Sequence, residues 1–200
     1  MSGSWSPEEL EAGYNQLFAR VTQACRFDWH PERQADMERV LKNRPRYDGV
    51  QGMTNVPWYV IGAIHNLEAS FLFSAHLHNG DDISRKTHTE PKGLPKKWEP
   101  PKSSKDWEES AVDALAHDGF SVNKDWSLER TLYLIEAYNG WGPRQVHKLH
   151  TPYLWSFSES YIGGKYDFDG HWNPNVVSDQ CGAAVLIKVL QDAGHISPPI

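Results

Sequence analysis

The longest apolar run in the chain, Val56 to Ile64, stops at His65 after nine residues. That is about half of the ~18 needed to cross a bilayer, so this run must find its apolar partners within the protein. Trp58, Ile61, Ile64 and then Leu67 or Glu68 fall on one face at spacings of three and four, which predicts a helix buried along that stripe. Asn55 can cap it, and Pro57 suits its first turn. Glu68 arrives on or beside the buried stripe near the C-terminal end. Desolvation and the negative pole of the helix both favour the protonated form of a carboxyl so placed. A carboxylic acid kept protonated is what general acid catalysis requires.

The surrounding pattern is also helical. Ser6-Pro7-Glu8-Glu9 reads as a cap with Pro at the first helical position and Glu three residues after the cap, and Leu10, Tyr14, Leu17, Phe18 and Val21 continue it. This predicts a helix from Pro7 to Ala24. A second helix is expected from Pro31 to just before Pro45. Further helices are expected over Trp107–Ala116, over Leu128–Tyr138 after a Ser127 cap, and over Asp179–Gln191, with Gly194 and the Pro198-Pro199 tail ending the last. Phe71 to His78 reads as extended or irregular, Asn79-Gly80-Asp81 as a turn, and Tyr153 to Trp172 as aromatic and Gly-rich. Asn79 to Asp106 is rich in Pro and Lys and long for a structureless loop. A small β-hairpin or sheet followed by an irregular strap is the expectation there. The fold class is therefore mainly α (α+β) with a small β lobe. Organisation is expected as one domain over 1–200, with residues 1–50 as N-terminal helices packing on a core of 51–195.

Composition narrows the function classes. With 20 basic and 26 acidic residues the formal charge is −6, which argues against nucleic acid as the main partner. Arg85 to Lys105 nevertheless holds seven basic residues against Glu90 and Glu99. Such a strip could meet an anionic polymer, but on charge alone a solvated loop is the favoured reading. The first ten residues carry two glutamates and no Lys or Arg, so no secretory signal is expected, nor stable membrane insertion. Cys25 and Cys181 are too few for a disulfide framework or a four-cysteine zinc site and are expected as reduced thiols. Nine Trp among 24 aromatics suit a groove that stacks flat amphipathic ligands such as sugar rings.

Three constellations can carry chemistry. Glu68 with Asp81 pairs a sheltered carboxyl with one in a polar turn. Divergent environments of that kind separate an acid from an ionised partner, as glycosidic cleavage requires. The bland reading is a Glu at the stripe's edge paired with His65 or Arg85. His76 and His78, with Asp81 and His65, have a spacing that could hold zinc, although ten histidines make a chance match easy. Ala137-Tyr138-Asn139-Gly140-Trp141-Gly142 could line a sugar groove or simply close a helix.

Taken together these pieces resemble the lysozyme-like superfamily, in particular goose-type lysozymes, soluble lytic transglycosylases and phage or bacterial "lysozyme family" endolysins. Glu68-Ala69-Ser70-Phe71 is similar to the family's helix-ending Glu-Ser-x-Phe segment with the small residues reordered. Ala137-Tyr138-Asn139-Gly140 is similar to its Ala-Tyr-Asn-Ala-Gly motif, with Trp141 as a departure. Thr151-Pro152-Tyr153 through Glu159-Ser160-Tyr161-Ile162 is similar to its later Pro…Glu-Thr…Tyr-Val segment. The resemblance spans Trp58 to Ile162. It implies a lysozyme-like fold with the β lobe beside a catalytic cleft. It also implies a muramidase that hydrolyses the β-1,4 bond between N-acetylmuramic acid and N-acetylglucosamine in peptidoglycan.

Catalysis would fall to Glu68 as the acid and Asp81 as the second group, with Asp82 or Thr87 as alternatives. Tyr138, Asn139, Trp141, Tyr161 and Thr87 would contact substrate. An inverting reaction is preferred, with carboxyl groups about 6.5–9.5 Å apart. No cofactor or metal is expected. A monomer is expected, made in the cytoplasm and acting on the cell wall after release, as a phage endolysin or bacterial autolysin. The competing readings are a lytic transglycosylase giving anhydro-muramic ends, a zinc-dependent wall amidase using His76 and His78, and a catalytically dead sugar-binding module.

Overall fold

Ser6 opens the first helix as its residues dictate. Its hydroxyl accepts the Glu9 N–H at 3.3 Å while Glu9 Oε2 accepts the Ser6 N–H at 2.7 Å, which satisfies two otherwise unpaired donors. The computed structural model describes residues 6–21, 30–168 and 170–197. Cys25, the expected last turn of the first helix up to Ala24, and the Pro198-Pro199 tail lie outside them. In chain order the described helices are α1 Pro7–Arg20, α2 His30–Thr54, α3 Trp58–Ala69, α4 Trp107–His117, α5 Leu128–Asn139, α6 Gly142–His147, α7 Pro152–Trp155 and α8 Ala183–Asp192. One antiparallel hairpin, β1 Lys165–Phe168 and β2 His171–Asn173, lies between α7 and α8 in the chain. The architecture is mainly α with a small two-stranded sheet. No helix is long and apolar enough to cross a membrane among the described residues.

The chain forms two compact units, Met1–Glu38 with Asp125–Ile200, and Arg39–Lys124. In the first, α1 packs on α5 and α8, and α7 packs on the same two helices. Gly182 precedes α8 at a close approach: a Cβ there would lie well inside contact with the backbone of Leu154 and Trp155. At the centre of this unit Glu136 is fully buried. Tyr14 donates to its Oε2 at 2.6 Å, and Arg144 donates from Nε to Oε1 at 2.9 Å and from Nη2 to Oε2 at 2.8 Å. One carboxylate thus joins α1, α5 and α6. Glu136→Gln leaves the Arg144 charge without its counterion inside the protein. The expected cost is about 3–5 kcal/mol, measured as a lower urea midpoint.

The second unit is built around α3, whose Val60, Ile61, Ala63, Ile64 and His65 have no exposed surface. Four expectations are corrected by the fold. Pro45 does not end α2, which continues to Thr54. Val40, Tyr47 and Val50 are fully buried on one face across the break, and this burial outweighs a proline defect of about 3 kcal/mol. Asn55 is not the cap of α3: it has φ 61°, and Pro57 stands at the cap. The free Trp58 N–H there goes to Gln51 Oε1 at 2.7 Å.

The β element is not in Asn79–Asp106. That segment has only an isolated bridge, Ala75 with Asp82, and the sheet is in the Gly-rich stretch instead, pairing Tyr166 with Trp172. Scattered turn hydrogen bonds and side-chain acceptors, rather than a ladder, take up the 79–94 amides: Thr87 N–H goes to the Leu94 carbonyl and Gly93 N–H to the Thr87 carbonyl, while Asp81 takes those of His88 and Thr89. Finally, α8 starts at Ala183 rather than Asp179, because Gly182 before it is extended, with φ −63° and ψ 147°.

Candidate active site

Glu68 sits in the last turn of α3 and is half-buried. The helix stops immediately afterwards with Ser70 at φ 47° and Phe71 at φ 65°. The Ser70 N–H returns to the Asn66 carbonyl at 2.9 Å and the Phe71 N–H to the His65 carbonyl at 3.2 Å. Two consecutive non-glycine residues in the left-handed region cost energy that neighbouring packing must offset. Here His65 and Phe71 meet edge to face with ring centroids 6.0 Å apart.

The turn that follows is seated on this helix end. His76 N–H donates to the Asp81 carbonyl at 2.7 Å, and Gly80 N–H donates to the His76 carbonyl at 2.9 Å. Gly80 has φ 76°, and a Cβ on it would overlap the Glu68 carbonyl oxygen. The residue must be glycine on both counts, and the contact ties the Asp81 turn to the backbone of Glu68. Gly80→Ala is expected to cost about 2–4 kcal/mol from strain and overpacking combined. The thermal midpoint should fall accordingly.

Asp81 is 8% exposed. Its Oδ2 accepts the N–H of His88 at 2.7 Å, the N–H of Thr89 at 2.9 Å, the Thr89 hydroxyl at 3.0 Å and Asn79 Nδ2 at 3.2 Å. Its Oδ1 faces His88 Nδ1 at 3.1 Å. Burial pushes the carboxyl up, but the Thr89 and His88 amides and the Thr89 hydroxyl outweigh it and hold it below its ordinary value. Asp81 is therefore a fixed anion. Neither His88 nor Thr89 carries a sequence signal, because both reach Asp81 only through the fold of the loop.

Thr87 is 4% exposed. Its hydroxyl donates to the Pro91 carbonyl at 2.5 Å and accepts the Leu94 N–H at 2.9 Å, so it is committed inside its own loop. Asp82 is exposed and caps a turn at Ser84 N–H, 2.8 Å away. The zinc reading loses its ligands to other partners. His76 hydrogen bonds to Ser110 Oγ at 2.6 Å and to the Arg85 carbonyl at 2.7 Å, while His78 Nε2 meets Asp113 Oδ2 at 3.0 Å. No group of three His, Cys, Asp or Glu able to hold a metal ion exists among the described residues.

The remaining expected substrate contacts belong to the first unit. Tyr138 and Asn139 end α5, half-buried and exposed respectively, and Gly140 closes the helix at φ 84°. Trp141 is half-buried with its ring centroid 5.3 Å from that of Tyr133. Tyr161 is 9% exposed; its hydroxyl donates to the Gly164 carbonyl at 3.1 Å and accepts the Ser178 N–H at 3.2 Å. Burial pushes this phenol up, so it is a neutral brace for the segment before the hairpin. Glu68, Asp81 and Thr87 thus lie in one unit, and Tyr138, Asn139, Trp141 and Tyr161 in the other. No family model, curated protein or solved structure matches this chain.

Proposed function

We propose that this protein is a muramidase that cleaves the β-1,4 glycosidic bond of peptidoglycan with Glu68 as general acid and Asp81 as a permanently ionised partner. The observation that carries the reading is the seating of the Gly80 turn against the Glu68 carbonyl. It ties two carboxyl groups of different character to the same helix end. One is half-buried at a strained helix terminus. The other is held anionic by two amides and a hydroxyl. In the proposed reaction Glu68 gives its proton to the leaving oxygen, and the Asp81 anion stabilises positive charge developing on the sugar ring. Water completes the bond exchange and yields a reducing muramic acid end.

Digestion of purified sacculi tests the chemistry. A hydrolase releases muropeptides with reducing muramic acid ends, the expected result. Anhydro-muramic products lighter by one water would convert the assignment to lytic transglycosylase. Release of free amino termini without new glycan ends would overturn glycan cleavage and favour an amidase.

A further inference from the structure

Charge alone leaves the Arg85–Lys105 segment to solvent, but the fold of its first half fixes where its cations stand. The indole of the buried Trp98 donates to the Ile83 carbonyl at 2.8 Å. Thr87 and Leu94, both buried, are tied twice: Thr87 N–H donates to the Leu94 carbonyl at 2.8 Å, and Leu94 N–H donates to the Thr87 hydroxyl at 2.9 Å. These ties lay residues 83–87 beside 94–98 and bring together two basic pairs, Arg85-Lys86 and Lys96-Lys97. Lys86 Nζ donates to the Lys96 carbonyl. All four residues are exposed. The neighbouring acids do not neutralise them. Asp82 interacts with Arg85, Glu90 pairs with Lys92 at 3.6 Å, and Asp106 and Glu109 hold Lys102. Among the described residues, Lys86, Lys96 and Lys97 are in no ion pair. A free loop would let like charges move apart. A loop pinned by buried anchors keeps them close, at a Coulombic cost that a bound anion removes.

We infer that Arg85, Lys86, Lys96 and Lys97 form a docking patch for the carboxylates of the stem peptides carried by the glycan strand, so that peptide-bearing peptidoglycan is held and a bare neutral glycan is not. The inference rests on the glycan-cleaving reading above and names the part of the substrate that reading leaves open. The patch is continuous with the candidate site. Lys86 stands two residues before His88, whose N–H joins that of Thr89 in holding Asp81 Oδ2. His76 links the two backbones, since its Nε2 meets the Arg85 carbonyl at 2.7 Å and its N–H donates to the Asp81 carbonyl at 2.7 Å. The anion nearest a scissile bond of peptidoglycan is the peptide on the adjoining muramic acid, which selects it over polymers attached elsewhere in the wall. Residue type agrees. Three of the four cations are lysines, and an ammonium on a flexible stem suits carboxylates at variable positions along a mobile peptide, whereas a guanidinium fork suits a fixed one. The patch also offsets the fixed Asp81 anion, which would otherwise repel an acidic strand.

Purified sacculi stripped of covalently attached phosphate polymers are the probe, so that carboxylates are the anions present. The full-length Glu68→Gln protein is the background, so that binding is measured by co-sedimentation without cleavage. Lys96→Gln with Lys97→Gln in that background is expected to weaken binding about tenfold. Lys96→Arg with Lys97→Arg keeps the charge and is expected to stay within about twofold. Amidation of the sacculus carboxylates should weaken the background about tenfold and leave the Gln double variant little changed, which couples the lysines to the carboxylates. A near-UV spectrum establishes that each variant is folded. If the folded Gln double variant binds as tightly as its background, or amidation leaves the background's affinity unchanged, the patch is overturned, and reducing muramic acid ends released by wild type would keep the muramidase reading. Charge-dependent binding with no glycan ends released by wild type would keep the patch as a wall-docking surface and remove the catalytic reading. Binding to whole sacculi that vanishes on stripping would assign the patch to a phosphate polymer and overturn the inference. Tighter binding to a DNA duplex than to stripped sacculi would overturn it in favour of nucleic acid.

Discussion

Glu68→Gln is expected to lower the rate of clearing of outer-membrane-stripped cells by about 10²–10⁴-fold, the range typical of a lost general acid. The substitution keeps the shape of a half-buried side chain, so the thermal midpoint should stay at the wild-type value. That separation of activity from stability distinguishes a catalytic proton donor from a helix-end contact. Asp81→Asn makes the informative contrast. Asp81 Oδ2 collects four donors, and a carboxamide that takes them turns its own N–H groups towards His88. Hydrogen bonds to a charged group are worth about 1.5–3 kcal/mol, so Asp81→Asn should lose stability as well as activity. Clearing by Glu68→Gln at the wild-type rate would remove Glu68 from the mechanism.

The second large effect is acid sensitivity of the unit formed by Arg39–Lys124. His65 has no exposed surface and hydrogen bonds to the Tyr47 hydroxyl through Nδ1 at 2.9 Å. Burial pushes its pKa from 6.5 down to about 4. His78 and His76 are pushed down as well, burial again being the largest cause. The unfolded chain therefore takes up protons near pH 6.5 that the folded unit refuses until about pH 4. Stability is complete above pH 6.5, falls through that window, and for His65 alone the loss reaches about 3 kcal/mol at its lower end. Asp81, held below its ordinary value, loses its contribution only at lower pH and adds to the same trend. Urea midpoints followed by near-UV dichroism should drop steadily from pH 7 to 4.5. A flat profile would mean that these rings take up protons as readily in the folded unit as in the unfolded chain.

Local chemistry was legible where residues act on their own neighbours. The Ser6–Glu9 capping box, the Gly80 turn and the Gly140 helix stop appear as their spacing predicts, whereas α3 is buried all round rather than along one stripe, with Leu67 and Glu68 half-buried. Pro45 was misleading because its cost is local while the burial of Val40, Tyr47 and Val50 that outweighs it is not. The Pro- and Lys-rich segment was opaque for the same reason. Its order comes from Asp81, Thr87 and the buried Trp98, whose indole donates to the Ile83 carbonyl at 2.8 Å. None of these pairings leaves a periodic trace. Of the candidate site, the residue types at Glu68, Asp81, Tyr138, Asn139 and Trp141 could be named from the chain. The hidden hydroxyls of Thr87 and Tyr161 could not be foreseen.

By itself the amino-acid order determined that this is a mainly helical protein with a carboxyl at the end of its most apolar helix, since helix periodicity and turn chemistry are properties of residues a few positions apart. Tertiary structure alone decided that Asp81 stays ionised, that Glu136 sits between Tyr14 and Arg144, and that the hairpin rings meet α6. Those outcomes depend on hydrogen-bond donors and apolar surfaces brought together from distant positions. Only the closed chain sets their burial and their charge.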